Sequence, residues 1–166
     1  MPTITRKARQ RQPPVRRSPK PQQGPDDMGR VMTEALIENI KDVHAVELGV
    51  LESANVRKIQ VDDALVDTGA TLVSLPKRLI KQLGLAKISE KRVTSSAGMT
   101  TAGMYGPIRL TIQGRSCTMD VMEVPNSVPV LIGQIPLEHL DFVIDMRSHK
   151  LTGNPAHGGE HMYELF

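Results

Sequence analysis

One short stretch carries the residue types from which an acid–base site can be built. Asp67, Thr68 and Gly69 follow the apolar residues of 64–66, and a second apolar run occupies 71–76. An apolar run that ends near a glycine predicts a buried strand entering a tight turn. A carboxylate at such a strand end is costly to bury unless hydrogen bonds or a shifted pKa offset the cost. The alternative is that Asp67 only hydrogen-bonds the turn, which is a common use of aspartate.

A second motif lies downstream at the sequence Pro129-Val130-Leu131-Ile132-Gly133, followed by the segment 135–140. In this order and spacing, Asp67-Thr68-Gly69-Ala70 and this apolar segment resemble the active-site loop and its supporting strand in the retropepsins, the retroviral-type aspartic proteases. The resemblance covers residues 31–151, the size of one small domain. The long extension before Asp67 is more similar to the bacterial or cellular members than to the viral enzymes.

The resemblance implies an all-β fold with one or two short helices, a retropepsin-like half-barrel closed by homodimerisation. It implies that Asp67 is the catalytic residue. The other implied site residues are Thr68, Gly69 and Ala70 in the active-site loop, Ala97, Gly98 and Met99 at the substrate-binding flap, and Ile132 and Gly133 supporting the loop. Thr71 and Gln134 depart from the viral pattern, where an acid and an arginine are common.

Aspartic proteolysis requires two carboxylates that share a proton around one water molecule. This chain has one Asp-Thr-Gly, and Asp120, Asp141 and Asp145 are not followed by Thr-Gly or Ser-Gly. A single chain therefore supplies half of such a site, and an isologous homodimer would supply the whole. The predicted activity is aspartic endopeptidase on a polypeptide substrate, with no cofactor. The alternative is a dimerising peptide-binding module that has kept the fold and lost turnover.

Charge divides the 166 residues into a basic tail and a domain. Residues 1–30 hold eight Lys/Arg against Asp26 and Asp27, a balance of +6 in a chain of net charge +3. We expect this Pro/Gln/Arg-rich tail to be disordered, because it has too few apolar groups to offset chain entropy. A third hypothesis is that this tail binds polyanions weakly. The protease domain is predicted at 31–152 and a flexible C-terminal tail at 153–166.

Cysteine and a group of histidines with a glutamate are two further candidates for a functional site. Cys117 is the only cysteine, so no intrachain disulfide forms, and its place in an alternating strand favours burial over nucleophilic chemistry. His157, Glu160 and His161 lie within five residues, with His149 nearby, a composition that could bind a metal. Gly158 and Gly159 separate the histidines, so a loose surface segment is favoured and no metal is assigned.

The remaining patterns predict elements and location. Strands are predicted at 31–40, 44–50, 56–61, 72–75, 108–112, 115–124, 130–132 and 142–145, with a short helix at 77–83 ended by Gly84. Turns are predicted at Asp62-Asp63 and Gln113-Gly114, and a hairpin at 95–103. No apolar run reaches the ~18 residues of a membrane span, and the N-terminus lacks the apolar core of a secretory signal. These features predict a cytoplasmic protein with no membrane partner.

Overall fold

The computed structural model describes residues 29–165, which fold mostly into β-strands with three short helices. In chain order the elements are β1 (Val31–Asn39), α1 (Ile40–Glu47), β2 (Lys58–Val66), β3 (Val73–Pro76), α2 (Lys77–Gln82), β4 (Ala86–Ser95), β5 (Gly98–Ile112), β6 (Arg115–Val124), β7 (Leu131–Ile132), α3 (Gln134–His139), β8 (Phe142–Asp145) and β9 (Lys150–Gly153). The predicted mostly-β class is confirmed. The tail predicted to be disordered, residues 1–30, lies outside the described residues except for Gly29 and Arg30.

Seven strands form one sheet in the order β1-β2-β7-β3-β6-β5-β4, while β8 and β9 form a separate pair. Strand β1 also pairs with β5, between Leu36–Asn39 and Ile108–Thr111, so six strands form a ring and β4 lies outside it. The ring closes because the 15 residues of β5 contact β4, β6 and β1 along their length. The sequence predicted a half-barrel that homodimerisation would close. In the structure, the β1–β5 pairing closes the barrel within one chain.

Aliphatic side chains fill the ring, as expected for a chain with two Phe and no Trp. Along β5, Met104, Ile108, Leu110 and Ile112 are buried, whereas Arg109 and Thr111 are partly exposed. This is the period-two pattern of a strand with one face on a core. Buried residues from five other strands, from α2 and from the residue after it belong to the same core, among them Ile37, Val73, Leu75, Leu83, Val121 and Ile132.

The segment predicted as a strand at 44–50 is not a strand: residues 44–47 belong to the helix α1, and 48–50 form the turn that follows it. Asn39 caps α1, because its Oδ1 accepts hydrogen bonds from the backbone N–H of Lys41 (3.0 Å) and of Asp42 (3.4 Å). Its Nδ2 also donates to the carbonyl of Leu83 at 2.9 Å, which fixes the start of the helix against the core. Gly49, at φ +72°, follows the helix end. The capping hydrogen bonds of Asn39 favour the helix more strongly than the valines and the histidine of this segment favour a strand.

The turn predicted at Asp62-Asp63 is also wrong, because both residues lie inside β2. The pairing of β1 with β2 shifts by one residue between Thr33–Ala64 and Ala35–Val61, so the two aspartates share a β-bulge opposite Glu34. The bulge leaves all three carboxylates exposed without ending the strand. Strand β2 consequently runs unbroken from Lys58 to the residue before Asp67.

Two ion pairs fasten α1 and β1 to their neighbours. Arg57 donates to both carboxylate oxygens of Asp42, at 2.7 Å from Nε and 2.8 Å from Nη2, and the bond holds the pKa of Asp42 below its usual value. Glu38 is buried and meets Arg109 of β5 at 2.8 Å. No helix within residues 29–165 is long and apolar enough to cross a membrane.

Candidate active site

Asp67 directly follows the last residue of β2. Its backbone N–H donates to the carbonyl of Ile132 at 2.9 Å, so β7 holds it from the side. The N–H of Ala70 donates to the carbonyl of Asp67 at 3.1 Å, and the N–H of Gly69 donates to its Oδ1 at 2.9 Å. These two bonds close a tight turn and fix the direction of the carboxylate. Asp67 is half-buried, while Thr68 and Gly69 are exposed.

Gly69 lies close to the carboxylate that its own N–H orients. A Cβ at this position would lie 3.1 Å from Asp67 Oδ1, closer than most real Cβ contacts. A side chain here would require the carboxylate oxygen to shift by a few tenths of an ångström from the position that the Gly69 N–H now fixes. The glycine thus serves the geometry of Asp67, as well as the turn.

A second strand–glycine segment supports the loop from behind. The N–H groups of Gly133, Gln134 and Ile135 donate to the carbonyls of Leu72 (3.1 Å), Ala70 (2.9 Å) and Thr71 (3.0 Å) in turn. Ile132 is fully buried beneath them. The structure therefore brings Ile132 and Gly133 into contact with the Asp67 loop, where the sequence predicted a supporting role for them.

Gly133 leaves no room for a side chain. A Cβ there would lie 2.5 Å from the carbonyl oxygen of Leu72 and 2.6 Å from that of Ala70, both of them backbone atoms. The contributions of Gln134 and Ile135 were missed in the sequence. Both act through backbone N–H groups, which leave no trace in residue type.

The predicted flap is the hairpin of β4 and β5. Ser95 pairs with Gly98 across a two-residue turn, and Ser95 Oγ bonds the N–H of Ala97 and the carbonyl of Gly98, both at 3.2 Å. Gly98 has φ +108°, a conformation that favours glycine. Ala97, Gly98 and Met99 are all exposed. Among residues 29–165, no side-chain hydrogen bond joins this tip to the Asp67 loop.

Asp141 and Asp145 are each bound by hydrogen bonds to residues outside the Asp67 loop. Asp145 accepts from Ser148 Oγ at 2.6 Å and from the N–H of Arg147 at 2.9 Å, and these bonds lower its pKa. Asp141 is buried and accepts from His157 Nδ1 at 2.6 Å and Asn154 Nδ2 at 3.0 Å. Neither carboxylate is available to accompany Asp67 within its own chain.

The segment predicted as a flexible C-terminal tail, 153–166, contacts the rest of the domain through Asp141. His157 also meets Glu164 at 3.2 Å, and the N–H of Met162 donates to Asp141 at 3.2 Å. Arg115 Nη1 donates to the carbonyls of Leu140 (2.8 Å) and Asp141 (2.7 Å) at the end of α3. We call the contacts of Asp141 with Asn154, His157 and Met162 the C-terminal clasp.

The clasp perturbs both of its ionisable members. The hydrogen bond from His157 is the main cause that lowers the pKa of Asp141 to about 2. The same bond, with a smaller contribution from Glu164, raises the pKa of His157 above its usual value. His161 instead bonds the carbonyl of His139 at 3.1 Å. Within residues 29–165, no three His, Cys, Asp or Glu side chains are grouped as a metal site would need.

Cys117 is buried in β6, as its sequence pattern predicted. Burial raises the pKa of its thiol to about 11, which leaves almost none of the reactive thiolate at neutral pH. The residue therefore packs the core and takes no part in nucleophilic chemistry.

The sequence model of a family described as aspartyl protease matches residues 44–135, more than half of the chain. The matched region contains both the Asp67 loop and the Ile132–Gly133 support. No curated protein matches the chain.

Proposed function

The chain belongs to the aspartyl protease family, of the retropepsin-like type, and from this premise we propose that it is an aspartic endopeptidase that works as a homodimer. The observation that carries the proposal is the Asp67 loop itself. Its carboxylate is oriented by the N–H of Gly69, its backbone is held by β7, and its outer residues, Thr68 and Gly69, are exposed. A loop so restrained and yet uncovered suits a site that a second copy completes.

Dimerisation follows from the number of carboxylates that the reaction needs. In the proposed assembly, Asp67 of each copy lies beside the two-fold axis, and the two carboxyl groups share one proton because two adjacent negative charges repel. Thr68 of one copy would bond across the axis to the partner's loop. The exposure of Thr68 in the single chain supports this role.

The proposed reaction divides the work between the two carboxyl groups. The ionised Asp67 removes a proton from water as its oxygen attacks the peptide carbonyl carbon, and the protonated one donates to the carbonyl oxygen. In the resulting tetrahedral diol, the carboxyl group that took the water proton gives it to the amide nitrogen, and the other carboxylate takes a proton from a diol hydroxyl. The C–N bond then breaks, a carboxylic acid and an amine leave, and the pair again holds one proton. Gly69 and Ala70 would flank the substrate backbone, and Ala97, Gly98 and Met99 would cover it. No cofactor takes part.

Replacing the carboxylate tests the proposal directly. Asp67→Asn keeps the size and the Gly69 hydrogen bond but removes the general base, so we expect peptide cleavage to fall by at least about a thousandfold with an unchanged Tm. Cleavage of a peptide library, read by mass spectrometry, gives the activity. Asp120→Asn, on β6, is the matched control and should cleave as the wild type does.

The same experiment separates the enzyme from its alternative. If the protein were a dimerising peptide-binding module, both the wild type and Asp67→Asn would bind peptides from the library and release them intact. Equal cleavage by wild type and Asp67→Asn would contradict the mechanism. Binding without cleavage by the wild type would favour the module.

A further inference from the structure

The register of the sheet places the residues beside Asp67 on two opposite faces. Val66 of β2 pairs with Ile132 of β7, and both are buried in the core. Leu65 and Leu131, one residue earlier on each strand, also pair and are partly exposed, because neighbouring residues of a strand point to opposite faces. The N–H of Asp67 bonds the carbonyl of Ile132 as the next step of this ladder. The side chain of Asp67 therefore lies on the face of Leu65 and Leu131, which we call the cleft face.

The cleft face extends across the sheet to the flap hairpin formed by β4 and β5. Leu131 pairs with Ser74 of β3, which pairs with Met122 of β6. Met122 pairs in turn with Met104 of β5. Met104 is buried but lies outside the core cluster, because the register of β5 with β6 shifts just before Ile108. A continuous series of paired residues thus leads from β7 to the base of the hairpin.

Among the described residues 86–104, Lys91 is the one charged residue on the cleft face. Ala102, two residues before Met104 along β5, shares its face and pairs with Lys91 of β4. The uncharged members of this face are Ser89, Val93, Ser95, Gly98, Thr100, Ala102 and Met104. Lys91 is exposed, whereas Ser89 and Val93 on either side of it are partly buried.

Contacts on the opposite face of the hairpin support this assignment. Glu90, the neighbour of Lys91, forms an ion pair with Lys87. A Cβ on Gly103 would lie 2.7 Å from the ring of Tyr105 and 3.5 Å from Cε of Lys87, so these residues share one face. Tyr105 packs against the core. Glu90 therefore lies on the core side of the hairpin, and Lys91 points to the cleft side.

The ammonium group of Lys91 forms no ion pair within residues 29–165. Lys91 comes four residues before Ser95, where the turn of the hairpin begins. At about 3.3 Å per residue, it lies about 13 Å from the flap tip. An extended substrate has the same rise per residue. A side chain about four residues from a peptide bond held beneath the tip can therefore reach Lys91.

We propose that Lys91 selects substrates that carry Asp or Glu about three to five residues from the scissile bond. This inference rests on the proposed function and names the substrate class of the same site, an acidic polypeptide segment. The Asp67 pair carries one negative charge and repels an acid close to the scissile bond. Each copy of a homodimer supplies its own Lys91, so the preference applies on both sides of the bond.

Cleavage of a peptide series tests the preference. A neutral peptide that the wild type cleaves carries, in turn at each position, either Glu or its uncharged isostere Gln. We expect Glu to raise kcat/KM about three- to fivefold over Gln at the outer positions, which is the range of an exposed ion pair. The gain should vanish in Lys91→Gln, and also at 0.5 M salt, where the Debye length is only about 4 Å.

Arg92→Gln is the matched control. Arg92 is the next residue of β4, is also exposed, and lies on the face of Glu90. Its replacement removes the same charge from the same strand, so a general attraction of acidic peptides would weaken in both variants. Arg92→Gln should keep the preference for Glu. An unchanged preference in Lys91→Gln, or an equal loss in both variants, would overturn the inference.

Peptide binding separates this inference from the proposed function. Fluorescence anisotropy measures the affinity of Asp67→Asn for two labelled ten-residue peptides, one with Glu near each end and one with Gln instead. If the wild type cleaves no peptide, the proposed function fails. Tighter binding of the Glu peptide that Lys91→Gln abolishes would still assign the recognition of acids to Lys91. Equal affinity for the two peptides, or no binding of either, would overturn it.

Discussion

Gly133 has backbone atoms on the side where a side chain would project. The carbonyl oxygens of Leu72 and Ala70 would lie 2.5 and 2.6 Å from a Cβ, and the Gly133 N–H already bonds the first of them. Backbone carbonyls in a hydrogen-bonded loop cannot rotate aside as a flexible side chain can. Any residue larger than glycine at this position would therefore displace the loop that carries Asp67.

Gly133→Ala should consequently damage activity more than stability. Overpacking at one methyl group costs about 1–3 kcal/mol, which many domains survive, whereas a displaced loop misplaces the carboxylate. We expect the variant to remain folded with a lower Tm and to lose nearly all cleavage. Urea unfolding and the peptide-library assay measure the two effects.

Gly114→Ala is the matched control. Gly114 has φ +80° and open space around its Cβ position, so alanine there strains the backbone by about 1–2 kcal/mol without a steric clash. It should lose similar stability and keep its activity per folded molecule. Wild-type cleavage by Gly133→Ala, or equal loss of activity in both variants, would contradict the role given to Gly133.

At the scale of elements, α3 connects the Asp67 loop to the C-terminal clasp. The N–H groups at and just before its first turn hold Ala70, Thr71 and Leu72, and its far end continues through Leu140 into Asp141. Arg115 and His157 fix that end from two directions. The clasp therefore stabilises the element against which the active-site loop rests.

The raised pKa of His157 predicts how stability changes with pH. A raised pKa in the folded state means that the charged imidazole stabilises the fold fully below the unfolded pKa of about 6.5. This contribution is lost as the pH rises through the folded pKa. We expect the wild-type Tm to fall by a few degrees between pH 6 and pH 9, measured by calorimetry at constant ionic strength.

His157→Asn keeps a donor near the position of Nδ1 but cannot become charged. The variant should have a lower Tm than the wild type at pH 6, and its Tm should change less between pH 6 and pH 9. His44→Asn, at an exposed position on α1, should retain the wild-type profile. Identical profiles for wild type and His157→Asn would show that the clasp carries no charge-dependent stability.

Sequence patterns predicted elements wherever one local signal decided the structure. The alternation of 108–112, the Gln113-Gly114 turn and the Gly84 helix end were all found as expected. The helix α1 was not predicted, because Asn39, which caps it, was assigned to a strand at 31–40. The further bond from Asn39 to the carbonyl of Leu83, 44 residues away, has no signal in the sequence. The β1–β2 bulge was missed because the register is set by the partner strand.

The candidate site divides in the same way. Asp67, Thr68 and Gly69 could be identified from the sequence, because their proposed roles depend on their side chains or, for Gly69, on the lack of one. The N–H groups of Gln134 and Ile135 and the anchoring of Asp141 could not, because any residue supplies an N–H and because the clasp forms only when distant segments meet. Long-range contacts of this kind exist only once the chain is folded.

For the whole molecule, the proposed dimer predicts how mixtures behave. If both carboxyl groups of a site must come from different copies, a mixed dimer of wild type and Asp67→Asn is inactive. Equal amounts refolded together would then retain about one quarter of the activity of the same total amount of wild-type chain, since pairing through one isologous interface is random. A site contained in one chain would retain about one half. Peptide cleavage after co-refolding measures the fraction.

The β1–β5 pairing has a consequence for how such a pair could come apart. Each polypeptide completes its own circuit of strands, so separation would expose a contact surface but leave the architecture whole. The separated monomers would be folded but inactive, and they could associate again without refolding. Dilution would then act as a reversible off-state, in contrast to assemblies whose subunits unfold when parted.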